Sequence, residues 1–182
     1  MMHGRARNQE AVLVLAAVVA VALTLVACQR AAPPAVVAPD PCPARLATFD
    51  TLDFTVFSGQ NWARLGESHA PDITVTWPDG HETHGLATHT DDLKAMFVYA
   101  PDTKVIEHPV KVCSGDYTAV TGVMTGTFSK PMPIGGGKTI KPTGRSFKLG
   151  MATIGHWKGN TMDHEWLFWD NHAYMVQIGL AK

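Results

Sequence analysis

The chain has 182 residues, a length that suits one domain with a substantial core. Its 15 basic side chains stand against 16 acidic ones and form no basic stripe, which argues against a nucleic-acid-binding surface.

Residues 1–27 read as a signal peptide. Arg5 and Arg7 give a positive start, and Ala11 to Val26 is a run of small apolar side chains broken only by Thr24. That run falls short of the about 20 residues a spanning helix needs. It ends in Leu25-Val26-Ala27-Cys28, which resembles a bacterial lipobox. The resemblance implies cleavage before Cys28 and a diacylglycerol on its thiol; the other reading is an uncleaved anchor with an incidental cysteine. Residues 28–43 form a tether, with Pro33, Pro34, Pro39, Pro41 and Pro43 among Ala and Val. The expected product is a membrane-anchored lipoprotein facing the periplasm or cell exterior, with its folded domain at residues 44–182. In that oxidising setting Cys42 and Cys113 are expected to pair; two unrelated free thiols are the alternative.

Residues 44–57 read as a helix with Phe49, Leu52 and Val56 on one face, broken by Ser58-Gly59. Residues 60–69 form a second short helix, which groups Trp62, Leu65 and His69. Ile73, Val75 and Trp77 alternate as a strand closed by Pro78-Asp79-Gly80. Leu86 to Tyr99 is a third helix, with Leu93, Met96, Phe97 and Ala100 inward. Strands follow at 104–113, 117–129, 145–157 and 161–170, with a long Pro/Gly loop at 130–144. A last short helix runs from Asn171 to Gly179. Helices first, one strand, a helix and then an antiparallel meander argue for an α+β fold with helices over one face of a curved sheet.

The final strand ends in Trp166-x-x-x-Asp170, and Met175-x-Gln177-Ile178-Gly179-Leu180 follows. Earlier come Trp77-Pro78-Asp79-Gly80, His84-Gly85, Pro101-Asp102, Gly115-Asp116, Thr125-Gly126-Thr127-Phe128 and Pro142-Thr143-Gly144-Arg145-Ser146-Phe147. In this order, over residues 45–180, the chain resembles the SnoaL-like polyketide (ester) cyclase family of the nuclear-transport-factor-2-like superfamily. The resemblance implies a cone-shaped domain. It also implies that Asp170 shuttles a proton in an intramolecular carbon–carbon ring closure that uses no metal or nucleotide. The chain departs from the pattern at His164-Glu165, where the cyclases commonly have Glu-His. It departs again at Val75, Thr76 and Trp77, where some carry Asn and His.

A two-residue loop at 158–160 pairs odd residues of one hairpin strand with even residues of the other. Asp170 then shares a face with His164, Trp166 and Phe168, opposite Phe147, Leu149, Met151 and Thr153. That face is the expected pocket wall, with Trp62, Trp77, His84, Phe97, Met124 and Phe128 as further lining. The alternative reading is ordinary core for Trp62, Trp77, Phe97, Met124 and Phe128, a structural histidine for His164, and a helix N-cap for Asp170. Gly122 and Gly126 vacate alternate strand positions, as a cavity or a bend requires. His81, His84, His89, His164 and His172 invite a metal reading, but their spacing falls in a turn, and no metal or other cofactor is expected. Gly135-Gly136-Gly137-Lys138-Thr139 lacks the leading glycine and following helix of a phosphate loop. The expected partner is a small hydrophobic molecule held in an apolar pocket. Acid/base catalysis of cyclase, isomerase or hydrolase type, simple ligand binding, and homodimerisation as an interaction module all stay open.

Overall fold

The computed structural model describes residues 39–182. The signal peptide, Cys28 and most of the tether lie outside the described residues. No helix among them is long and apolar enough to cross a membrane.

Helix α1 (Cys42–Thr51) starts at Pro41, with proline in its first turn where no backbone N–H is missed. It runs on into a π-helical turn, Leu52–Phe57, closed by Ser58 N–H on the Asp53 carbonyl. The expected stripe is buried: Phe49, Leu52 and Val56 are all within the core. A 3-10 turn, Trp62–Glu67, leads into β1 (His69–Thr76), β2 (Glu82–His84) and α2 (Leu86–Tyr99). The meander is β3 (Lys104–Glu107), β4 (Lys111–Ser114), β5 (Tyr117–Thr127), β8 (Ser146–Lys158) and β9 (Thr161–Trp169). Between β5 and β8 the glycine-rich loop carries a small hairpin, β6 (Met132–Pro133) and β7 (Thr139–Ile140). Helix α3 (Asn171–Gln177) ends before Gly179, whose φ of +80° is open to glycine at little cost.

The main sheet has seven strands in the order β2-β1-β9-β8-β5-β3, and β4 also pairs with β5. Only the β1–β9 pair among these is parallel. The expected strand at 104–113 is two strands, because Pro109 has no N–H to donate and His108 turns inward instead. One apolar cluster packs α1 and its π turn on Ile73, Val75, Trp157, Met162 and Leu167. A second gathers Met124, Phe128, Phe147 and Leu149 under Tyr174 and Ile178.

The entrance to α1 is tied down twice. Cys42 and Cys113 form a disulfide, so the two thiols are not free. One turn on, the buried Arg45 guanidinium donates to the Gly115 carbonyl at 2.6 Å and to Asp116 at 3.0 Å. Helix and β4–β5 turn are thereby joined by one covalent and one charge-assisted link.

Register in the last hairpin decides which face holds the site. Lys158 pairs with Thr161 and Trp157 with Met162, as a two-residue turn requires. The next pair is His156 with His164, so Asp163 is an extra residue, a β-bulge. From there odd residues oppose odd ones: Gly155 with Glu165, Thr153 with Leu167, Met151 with Trp169. A one-residue slip sends a strand's side chains to the other face. The expected wall of His164, Trp166, Phe168 and Asp170 is therefore the outer face, and Glu165, Leu167 and Trp169 point inward.

Candidate functional site

A cavity of about 90 Å³ sits where the two apolar clusters meet. Its wall is built by Leu52 and Phe57 from the π turn, Leu93 and Met96 from α2, Met124 and Met151 from the sheet, and Trp77, Leu167 and Trp169 at one side. Five titratable groups break this apolar lining: Asp53, His69, His89, Asp92 and Glu165.

Three of them converge. His69 opens β1, His89 lies in the first turn of α2, and Glu165 stands inward on β9. All three are buried, at 2%, 2% and 4% exposure. Glu165 Oε2 lies 3.3 Å from His89 Nε2 and 3.7 Å from His69 Nε2. The second separation exceeds hydrogen-bond length, and the first lacks hydrogen-bond geometry. His69 Nε2, His89 Nδ1, Asp92 Oδ2 and Glu165 Oε2 thus have no protein partner among the described residues. Unsatisfied buried polar atoms cost stability, about 1–3 kcal/mol each, and in a native fold they call for an explanation.

Burial lowers the His89 pKa to about 4, more than Glu165 pulls it up, so the ring is neutral at neutral pH. Burial pushes Glu165 upward, but the neighbouring imidazoles of His69 and His89 outweigh it and the carboxyl titrates below its usual range. Asp53 behaves in the opposite way: burial raises its pKa, the Glu165 charge adds to the push, and the His108 ring offsets only part.

Asp53 is also one end of a chain of contacts. It accepts from His108 Nε2 at 2.8 Å, and His108 Nδ1 lies 2.8 Å from Asp50, which takes the Lys111 ammonium at 2.6 Å. The π turn matters here, because Leu52 and Asp53, its first residues, both reach the cavity wall.

Of the residues expected to line a pocket, the cavity holds Trp77, Met124 and Met151. The half-buried Trp62 and the buried Phe97 pack edge-to-face on each other and on Phe57 rather than lining the cavity. Phe128 is fully buried in the second cluster. His84 is exposed and lies beside Thr74, while His164 contacts Thr76 and stacks on Trp166 at 3.6 Å. Trp166 and the exposed Phe168 belong to the outer face. Asp170 is exposed and caps α3, its Oδ1 accepting from Ala173 N–H at 2.8 Å. The vacancies at Gly122 and Gly126 are filled by Met151 and Phe147.

Sequence reasoning missed Asp53, His69, Asp92, His108 and Glu165. The available signal was charge on faces otherwise apolar: Asp53 beside Leu52 and Val56, and Glu165 two residues before Leu167.

The SnoaL-like polyketide cyclase family matches residues 50–178. The fold is similar to that of IdmH from Streptomyces antibioticus, a candidate polyketide cyclase, with 22% identity over 74% of this chain and 98% of that one and a TM-score of 0.63. It is similar, at 18% identity, to a SnoaL-like protein from Jannaschia sp. CCS1, covering 80% of this chain and 99% of that one, with a TM-score of 0.65. A protein of ketosteroid isomerase-like fold from Catenulispora acidiphila, solved with trimethylamine, aligns at 16% identity over 76% and 94% with a TM-score of 0.59. No curated protein matches the sequence. With the match spanning most of the folded domain, this chain belongs to the SnoaL-like polyketide cyclase family.

Proposed function

We propose that this is an exported, lipid-anchored member of the family that binds a small, mostly apolar molecule bearing one polar group. In this reading Asp53 moves the proton and the Glu165–His69–His89 cluster orients the polar group. The observation that carries it is the pair of carboxyls on one apolar cavity whose surroundings drive their pKa values apart. Such divergence is how one site comes to hold an acid and an ionised partner together.

The volume bears on the ligand. An apolar cavity of about 150 Å³ accepts benzene. At about 90 Å³ the present cavity suits something smaller than an aromatic ring. Met96, Met124 and Met151 line it, and methionine's unbranched, pliable chain lets such a wall give way to a larger guest. A fused-ring polyketide is a poor fit. Export is supported by the lipobox-like Cys28 and by the Cys42–Cys113 disulfide, a bond that persists in oxidising compartments.

The test is native mass spectrometry of the full chain, purified in detergent from its own host. A retained small molecule, and a diacylglycerol mass on Cys28, are the expected results. Asp53→Asn should retain the compound without turning it over. An unmodified N-terminus would remove the anchor. If nothing is retained, and no thermal shift appears with small ketones, esters or alcohols, the binding reading fails.

A second reading is homodimerisation through the outer sheet face, where Val110, Val112, Tyr117 and Phe168 are exposed. A shallow groove crosses it between Pro78, Pro109, Ala152 and Phe168. Sedimentation velocity across concentration decides this, and a monomer at every concentration rejects it.

A further inference from the structure

We propose that His69, His89 and Glu165 form a site for a divalent transition-metal ion of the zinc type, with its remaining coordination open to the cavity.

The first support is geometric. Candidate donor atoms of all three residues lie within 4.8 Å of one another, brought together from β1, α2 and β9. Four-coordinate zinc holds nitrogen and oxygen at about 2.0–2.2 Å, which places neighbouring ligand atoms about 3.3–3.6 Å apart. Glu165 Oε2 stands 3.3 Å from His89 Nε2 and 3.7 Å from His69 Nε2. The His69–His89 edge lies within 4.8 Å, so completing the set calls for a side-chain movement of at most about 1.5 Å. Two imidazoles and one carboxylate are a donor set used by zinc sites that keep a position free.

The second support is the setting of the His69 ring. Its Nδ1 lies 3.2 Å from the Leu65 carbonyl, which only accepts, and 2.9 Å from Ser68 Oγ. Ser68 Oγ itself donates to that carbonyl. When Nδ1 donates to that carbonyl, Nε2 is left as the ligand atom facing Glu165 Oε2. A ligating histidine that donates its other N–H to a backbone carbonyl is oriented in this way. Neither His69 Nε2 nor Glu165 Oε2 has a hydrogen-bond partner among the described residues.

The third support is charge. Asp53 is paired with His108, but the cavity wall also carries Asp92 and Glu165 and no lysine or arginine. A dication relieves that excess, whereas a buried anion would add to it. Bound there, the metal would supply Lewis-acid polarisation of a ligand oxygen. Asp53 would remain free to exchange a proton.

The inference shares its cavity with the reading above but needs no organic ligand, so each can fail alone. The experiment is titration of the chelator-treated full chain, disulfide intact, with Zn²⁺ alone by calorimetry, and with Co²⁺ followed by visible absorption. One equivalent, the bands of four-coordinate cobalt and a raised thermal midpoint are expected. Glu165→Gln and His69→Ala should each weaken binding at least about 100-fold. The exposed-histidine variants His84→Ala and His172→Ala should change nothing. Glu165→Gln alters a single atom, and circular dichroism verifies its fold; if it unfolds, His89→Gln takes its place. No binding, or binding that follows His84 or His172 rather than Glu165, would overturn the proposal.

Discussion

The Glu165 carboxylate stands 3.3 Å from the His89 imidazole, in a site where both are almost wholly buried and neither makes a well-formed hydrogen bond to the other. Folding gains little from such an arrangement. A half-satisfied polar cluster is worse for stability than an apolar core of the same shape. Its presence between two well-packed clusters marks it as a place where stability is given up for binding or chemistry.

Glu165→Met tests that trade. Because Oε2 makes no hydrogen bond among the described residues, an apolar side chain of similar volume is expected to leave stability unchanged or raise it by about 1 kcal/mol in chelator-containing buffer. Urea unfolding under oxidising conditions measures it. A loss of stability would mean that the carboxylate is structural.

Asp170→Ala removes the side chain that caps α3 and is expected to cost about 1 kcal/mol. Ligand or metal binding in the cavity should be unaffected, because Asp170 is exposed on the other side of the sheet. Asp170→Asn keeps the cap and should be near neutral. Binding lost with a normal unfolding midpoint would return Asp170 to the site.

His108 supplies a pH dependence. Burial disfavours its charged ring, but the carboxylates of Asp53 and Asp50 outweigh that, and its pKa is raised. A group whose folded pKa is raised stabilises fully below its unfolded value, about 6.5 for histidine, and loses that contribution as pH climbs through the folded value. Stability should therefore decline from pH 6.5 upward, and His108→Gln should flatten the decline. Unfolding midpoints between pH 6 and 9 measure it; a wild-type curve no steeper than the variant's would dismiss the pairing.

Reduction of Cys42–Cys113 opens a loop with a sequence separation of 71. Loop-closure entropy for that length sets the loss at about 4 kcal/mol, with typical measured values of about 2–4 kcal/mol. Unfolding with and without a thiol reductant gives the figure, and equal midpoints would show that the bridge does not constrain the unfolded chain.

Local pattern carried much of the architecture. The face of Phe49, Leu52 and Val56, the limits of Leu86–Tyr99, the hairpin turn at 158–160 and the Cys42–Cys113 pairing all rest on residues close in sequence or on scarcity of partners. Periodicity reports which residues are alike, and for helices and turns that suffices.

The site depends on what periodicity cannot report. One unpaired residue, Asp163, reverses the facing of every later side chain on β9, and a bulge has no obligatory sequence signature. It exchanges Asp170 and His164 for Glu165 as the inward group. The other members come from a π turn, the first residue of β1, the first turn of α2 and a strand break at Pro109. Asp53 and His108 stand 55 residues apart, and they meet only when α1 packs against the sheet. The one-dimensional order of residues determined the family and the layers, while long-range packing decided which ionisable groups are taken from water and placed together.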